Sequence, residues 1–184
     1  MRRAEEARGE AYRLNQRIRT METSARATGS AFAAPALPDG LVDLKTWADM
    51  NVAGSVVITN RAFRGAKDPD YEEPALVYKA LLLLRDYYVP MRRQGGENLA
   101  KRYVDELSKL GLEESKSITH SRLGEQGDEY LVQHNGRKHE LERHLKKGNS
   151  YESRHCFRLY FFWDDEEEQV VVGWMTSHLG TRQT

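Results

Sequence analysis

The chain has 184 residues, about one domain's worth at roughly 100–200 residues per domain, and Lys plus Arg equals Asp plus Glu at 28 each. That balance excludes a global electrostatic pull toward nucleic acid or membrane, and no run approaches the ~18 apolar residues of a membrane helix. The single cysteine excludes an internal disulfide framework and a cysteine-based zinc cluster.

Met1-Arg2-Arg3 leads into Ala4-Glu5-Glu6 rather than an apolar signal segment, so a cytoplasmic, reducing compartment is expected. Ala4, Ala7, Ala11, Leu14, Ile18, Met21 and Ala25 alternate spacings of three and four, which predicts an amphipathic, coiled-coil-like helix over residues 1–27. Its alanine-rich seam buries little, so any homo-oligomer formed through it would be weak. Residues 28–40, small and proline-containing, read as a flexible linker, and the domain proper is expected over 41–184.

Within that domain, Leu41–Asn51 suits a short helix, and Ser55-Val56-Val57-Ile58-Thr59 a short strand. Asn60 suits the N-cap of a brief helix over 61–66. Two adjacent apolar rows over 74–89, through Val77, Leu81, Leu84 and Tyr88 and through Leu76, Ala80, Leu83 and Tyr87, predict a central core helix that Pro90 should end or bend. A second helix follows over about 97–110, closed by Gly111.

Past Gly111 the apolar period falls from 3.6 to 2. Ser115–Leu123 is a weak strand, and Asn135-Gly136 joins 129–134 to 137–141 as a hairpin. Glu140–Lys147 reads as the end of that hairpin or as a helical turn closed by Gly148. Residues 155–163 and 169–175 are strands joined by the acidic loop Asp164–Glu168. The fold expected is α+β, a small antiparallel sheet packed by two helices.

All six histidines lie from His120 onward, but His134, His139 and His144 are each five apart, which lets neither a helix nor a strand present them together. No metal site and no other cofactor is expected. A basic cluster is more informative. Arg137, Lys138, Arg143, Lys146, Lys147, Arg154 and Arg182 interleave with aromatic residues, a composition that suits either an RNA-facing surface or a solvated basic face. Arg158 sits inside an apolar strand, on one face with Cys156, Tyr160 and Phe162. There it must meet a carboxylate, a ring or an anionic ligand.

The run Phe157-Arg158-Leu159-Tyr160-Phe161-Phe162-Trp163-Asp164-Asp165, then Val170-Val171-Val172-Gly173-Trp174-Met175, then His178, resembles the end of the RelE/ParE/HigB toxin superfamily. The order of a strand, two helices and then strands agrees with it. The resemblance implies a RelE-like domain that binds RNA, the ribosome or an antitoxin-like protein, with many members cleaving mRNA without a metal. It matches Arg158 to the phosphate-stabilising arginine and His178 to the terminal histidine, and Tyr160 completes the candidate catalytic set. Leu179 stands where a basic residue commonly follows that histidine. Two functions are therefore expected to compete: a metal-independent endoribonuclease, and a non-catalytic interaction module at the C-terminus of a modular protein.

Overall fold

The run Phe157–Trp163 has almost no polar position, so whichever way it pairs, both of its faces must be covered. In the computed structural model, which describes residues 35–67, 71–117, 127–148 and 156–179, that requirement organises the domain. The helix expected over 1–27 and the linker up to residue 34 lie outside the described residues. From Leu37 onward the described residues belong to one compact unit.

In chain order the elements are α1 (Leu44–Asn51), β1 (Val56–Ile58), α2 (Asn60–Gly65), α3 (Pro74–Leu83), α4 (Val89–Gln94) and α5 (Glu97–Lys109). Then come β2 (Glu113–Lys116), β3 (Leu131–His134), β4 (Arg137–Glu140), β5 (Arg143–Lys147), β6 (Phe157–Asp164) and β7 (Gln169–Met175). The class is α+β. Five strands form one sheet in the order β1-β7-β6-β5-β2, and β3-β4 form a separate two-stranded sheet.

Strand β6 alternates between two cores. Phe157, Leu159 and Phe161 meet Leu76, Val77, Leu81, Tyr88 and Tyr103 from the helices. Tyr160 and Phe162 turn to the opposite face, where Tyr130, Val132, Leu141 and Leu179 cover them. The described residues from Leu37 onward thus form three layers, helices, sheet and hairpin. Among the described residues no helix is long and apolar enough to cross a membrane.

Several elements differ from the sequence expectation. The large sheet is mixed rather than antiparallel, because β1 lies parallel to β7 with Val57 opposite Val171. The β3-β4 hairpin forms at Asn135-Gly136, whose φ angles of 49° and 78° fit the turn that dipeptide favours, but it packs on the sheet instead of extending it. Residues 143–147 are a strand, not a helical turn, since Leu145 pairs with Leu159 inside the helix-facing core. Thr59 caps α2 in place of Asn60. Its side-chain oxygen accepts from the Ala62 amide at 3.2 Å.

Pro90 does not end the helix. A π-helical turn over Leu84–Tyr88, in which the Val89 amide reaches the Leu84 carbonyl, takes up one extra residue just before it, and α4 runs on to Gln94. The ladder absorbs the missing donor by widening. The packed chain also begins at Leu37 rather than Leu41: Leu37 rests on the core, and the Tyr78 hydroxyl donates to the Gly40 carbonyl at 2.6 Å.

Gly65 ends α2 hard against β7. A Cβ there would stand 2.8 Å from the main-chain oxygen of Met175 and 3.2 Å from the Trp174 ring. Gly65→Ala should therefore cost about 1–3 kcal/mol as strain, read as a lowered midpoint in urea unfolding. Gly40→Ala is the control: nothing lies within 4 Å of the added carbon, and its change should stay within about 0.5 kcal/mol.

Candidate functional site

Two places in the domain gather side chains with chemical potential. The first is the hairpin-facing side of the sheet, which carries the residues nominated from sequence. The second is a cavity among the first helices.

Arg158 is 4% exposed and opposite Lys146 in the sheet. Its Nη1 donates to the carbonyl of Phe157 at 2.7 Å and of Lys147 at 3.3 Å, and its Nη2 to that of Gly148 at 3.1 Å. Of the partners expected for a buried arginine, a carboxylate, a ring or an anion, the structure records main-chain carbonyls instead. The geometry is local: these three carbonyls lie where β5 ends, at Lys147 and Gly148, and where β6 begins, at Phe157.

Tyr160 lies one pair further along, opposite His144, and the two rings stack with centroids 5.0 Å apart. The Tyr160 hydroxyl shares hydrogen bonds with the Tyr130 hydroxyl and the Leu179 backbone, and burial pushes its ionisation far upward. It remains a neutral phenol at any ordinary pH. His178 follows β7 and is exposed. Residual desolvation and then the Arg158 charge hold its imidazole below the usual histidine range. His144 is pushed further, to about 4, first by burial and then by Arg158, Lys146 and His178. Its Nδ1 is buried with no hydrogen-bond partner among the described residues.

Arg158, Tyr160 and His178 therefore share one neighbourhood, and His144, which sequence reasoning passed over, joins them. Both imidazoles near Arg158 favour the neutral form at pH 7.

The expected basic surface is not one surface. Alternation along β5 sends Arg143 and Lys147 to the helix side, and His144 and Lys146 to the hairpin side. Arg143 is ion-paired to Glu114, which also accepts from the Tyr103 hydroxyl at 2.7 Å. Lys147 meets Glu73 at 2.6 Å, Lys146 meets Glu113 at 3.0 Å, and Arg137 meets Glu166 at 2.7 Å. Lys138 is exposed on β4. Arg154 and Arg182 lie outside the described residues. Carboxylates thus already occupy four of the five described cations. Among the described residues no group of three or more His, Cys, Asp or Glu side chains is placed to hold a metal ion.

The second place was not legible in the sequence. Among the described residues, the segment before α1, α1 itself, α2 and the start of α3 line a half-open cavity of about 830 Å³. Leu41, Leu44, Phe63, Ala66, Tyr71 and Pro74 supply its apolar walls, and Lys45, Arg64 and Lys67 also line it. It persists because α2 is only six residues long and closes on β7, while Tyr78 tethers the irregular strand of chain at Gly40 above α3. Val42 at the cavity is 97% exposed. Tyr71 is buried, its hydroxyl has no partner among the described residues, and burial keeps that hydroxyl protonated.

No family model matches the chain, and neither a curated protein nor a solved structure matches it.

The His144 environment sets a pH dependence. Its folded-state pKa of about 4 lies below the ordinary 6.5, so between those values the unfolded chain binds the proton and the folded chain does not. Stability should be full above about pH 6.5 and fall as the pH drops toward 4. His144→Phe should flatten that part of the profile. Urea unfolding of both proteins across pH 4–7 checks it, and parallel profiles would show that His144 carries no such effect.

Proposed function

We propose that this domain is a non-catalytic binding module and that the cavity between α1, α2 and α3 is its ligand site. The cavity carries the reading. At about 830 Å³ it falls within the ~300–1,000 Å³ typical of small-molecule sites, and it combines apolar walls with a few polar groups at its edge. The state of Arg158 supports the same conclusion from the other side of the sheet. A phosphate-binding arginine needs free donors facing solvent, whereas both Nη atoms here hold main-chain carbonyls in a buried position.

A second reading, the RelE-type endoribonuclease, is favoured by one observation: His178, His144, Tyr160 and Arg158 lie together beside Lys146. Cleavage through the 2′-hydroxyl needs a base, an acid and positive charge on the phosphate. This set offers neutral imidazoles as bases, and a phenol held neutral by burial. That reading requires RNA cleavage at pH 7 that His178→Ala reduces by about 10²–10⁴-fold. The module reading expects no cleavage by the unaltered chain.

The direct test of the module is binding of Nile red, a neutral apolar dye, followed by fluorescence. Saturation at one dye per chain is expected. Phe63→Ala removes part of the wall and should weaken binding by about tenfold, in line with ~1.5–3 kcal/mol for a fully buried aromatic ring. Unchanged binding by Phe63→Ala, with the fold intact by circular dichroism, would move the dye elsewhere and remove the cavity from the account.

A further inference from the structure

Resting on the cavity as the ligand site, we infer that its natural ligand is a small amphipathic anion, an apolar body ending in a single carboxylate. The walls set the first half of that description. Leu41, Leu44, Phe63, Ala66 and Pro74 offer carbon surface only, so they reward the removal of apolar area from water and nothing else.

The charged residues set the second half. Lys45, Arg64 and Lys67 all contribute to the lining, and no carboxylate does so among the described residues. Lys45 is paired to Asp49 at 2.9 Å on the exposed side of α1. Arg64 and Lys67 have no carboxylate partner among the described residues, unlike Arg137, Arg143, Lys146 and Lys147 on the sheet. Asp68 and Asp70 lie outside the described residues.

A neutral apolar ligand would gain nothing from these two exposed cations, which water already solvates. A carboxylate would take charge-assisted hydrogen bonds from Arg64, in a paired geometry that lysine cannot offer, with Lys67 beside it. The chemistry points to one anionic head, because polar groups elsewhere in the lining are few. Apart from the cations and Tyr71, only Asn60 brings a polar side chain.

The experiment uses the full chain with Nile red bound, displaced by decanoate or by its neutral counterpart decanol at pH 7. Decanoate should displace the dye at a concentration about fivefold lower than decanol, the ratio that corresponds to ~1 kcal/mol of partly exposed ion pairing. The double variant Arg64→Gln/Lys67→Gln should erase that preference, so that decanoate is needed at the same concentration as decanol, with the fold intact by circular dichroism. Both cations are exposed, so the fold should tolerate the change. Equal displacement by decanoate and decanol would overturn the anion assignment and leave the cavity as a site for neutral ligands. A decanoate preference that survives the double variant would also overturn it, since the charge would then lie elsewhere. Displacement by neither would overturn the anion assignment together with the cavity reading on which it rests.

Discussion

Everything in this domain follows from the burial of β6 on both faces. A strand with Phe157, Leu159 and Phe161 on one side and Tyr160 and Phe162 on the other cannot be satisfied by helices alone. The β3-β4 hairpin answers the second face. It is held there by apolar contact from Val132 and by polar ties at its turn, His134 to Asp164 at 3.2 Å and Arg137 to Glu166 at 2.7 Å. The bulge between β6 and β7 serves the same end. Register slips at Tyr160/Phe161, where Trp174 and then Val172 are the successive partners. Skipping Gly173 resets the alternation of β7, so Trp174 meets the hairpin core and Met175 returns to the helix core. Leu141 fills the space in front of Gly173, where a Cβ would meet its side chain at 2.4 Å.

The placement of Arg158 is part of this construction. Its neighbours on the hairpin face are rings and a histidine, and its donors tie the end of β5 to the start of β6 through the carbonyls of Lys147, Gly148 and Phe157. A buried charge held by main-chain dipoles acts on its surroundings through its field. It lowers both His144 and His178 and disfavours a third positive charge nearby. That is a structural use of arginine, and it separates the strongest sequence signal from the place where a ligand fits. Beside short α2, the described residues leave the cavity proposed as the ligand site.

How much of this could be read beforehand depends on how local each signal is. The long apolar rows of α3, the end of α5 at Gly111 and the Asn135-Gly136 turn are fixed by neighbours within a few residues, and each formed where the sequence put it. The parallel pairing of β1 with β7 joins Val57 to Val171, far apart in the chain, and no local pattern carries it. That Pro90 does not end the helix was not legible, because the compensating π turn lies upstream, in residues with ordinary helical propensity. The run from Arg143 to Lys147 alternates charge and apolar character too weakly to separate strand from turn. Losing that strand hid the carbonyls that Arg158 binds and the carboxylates that neutralise its basic neighbours. The cavity was illegible for a different reason. It is a gap between elements, and a sequence records what fills space rather than what does not.

The central claim is that Arg158 holds the sheet together rather than holding a ligand. Urea unfolding of Arg158→Ala at pH 7 tests it most directly. Removing the guanidinium leaves the buried Phe157 carbonyl and the part-buried carbonyls of Lys147 and Gly148 without this donor, and a void among Tyr160 and its neighbours, so stability should fall by about 2–4 kcal/mol. Arg158→Lys should recover only part of the loss, because one ammonium cannot reproduce the planar fork that reaches carbonyls on two chain segments. Unfolding midpoints of both variants equal to that of the unaltered chain would contradict the account and return Arg158 to the role of an anion-binding residue.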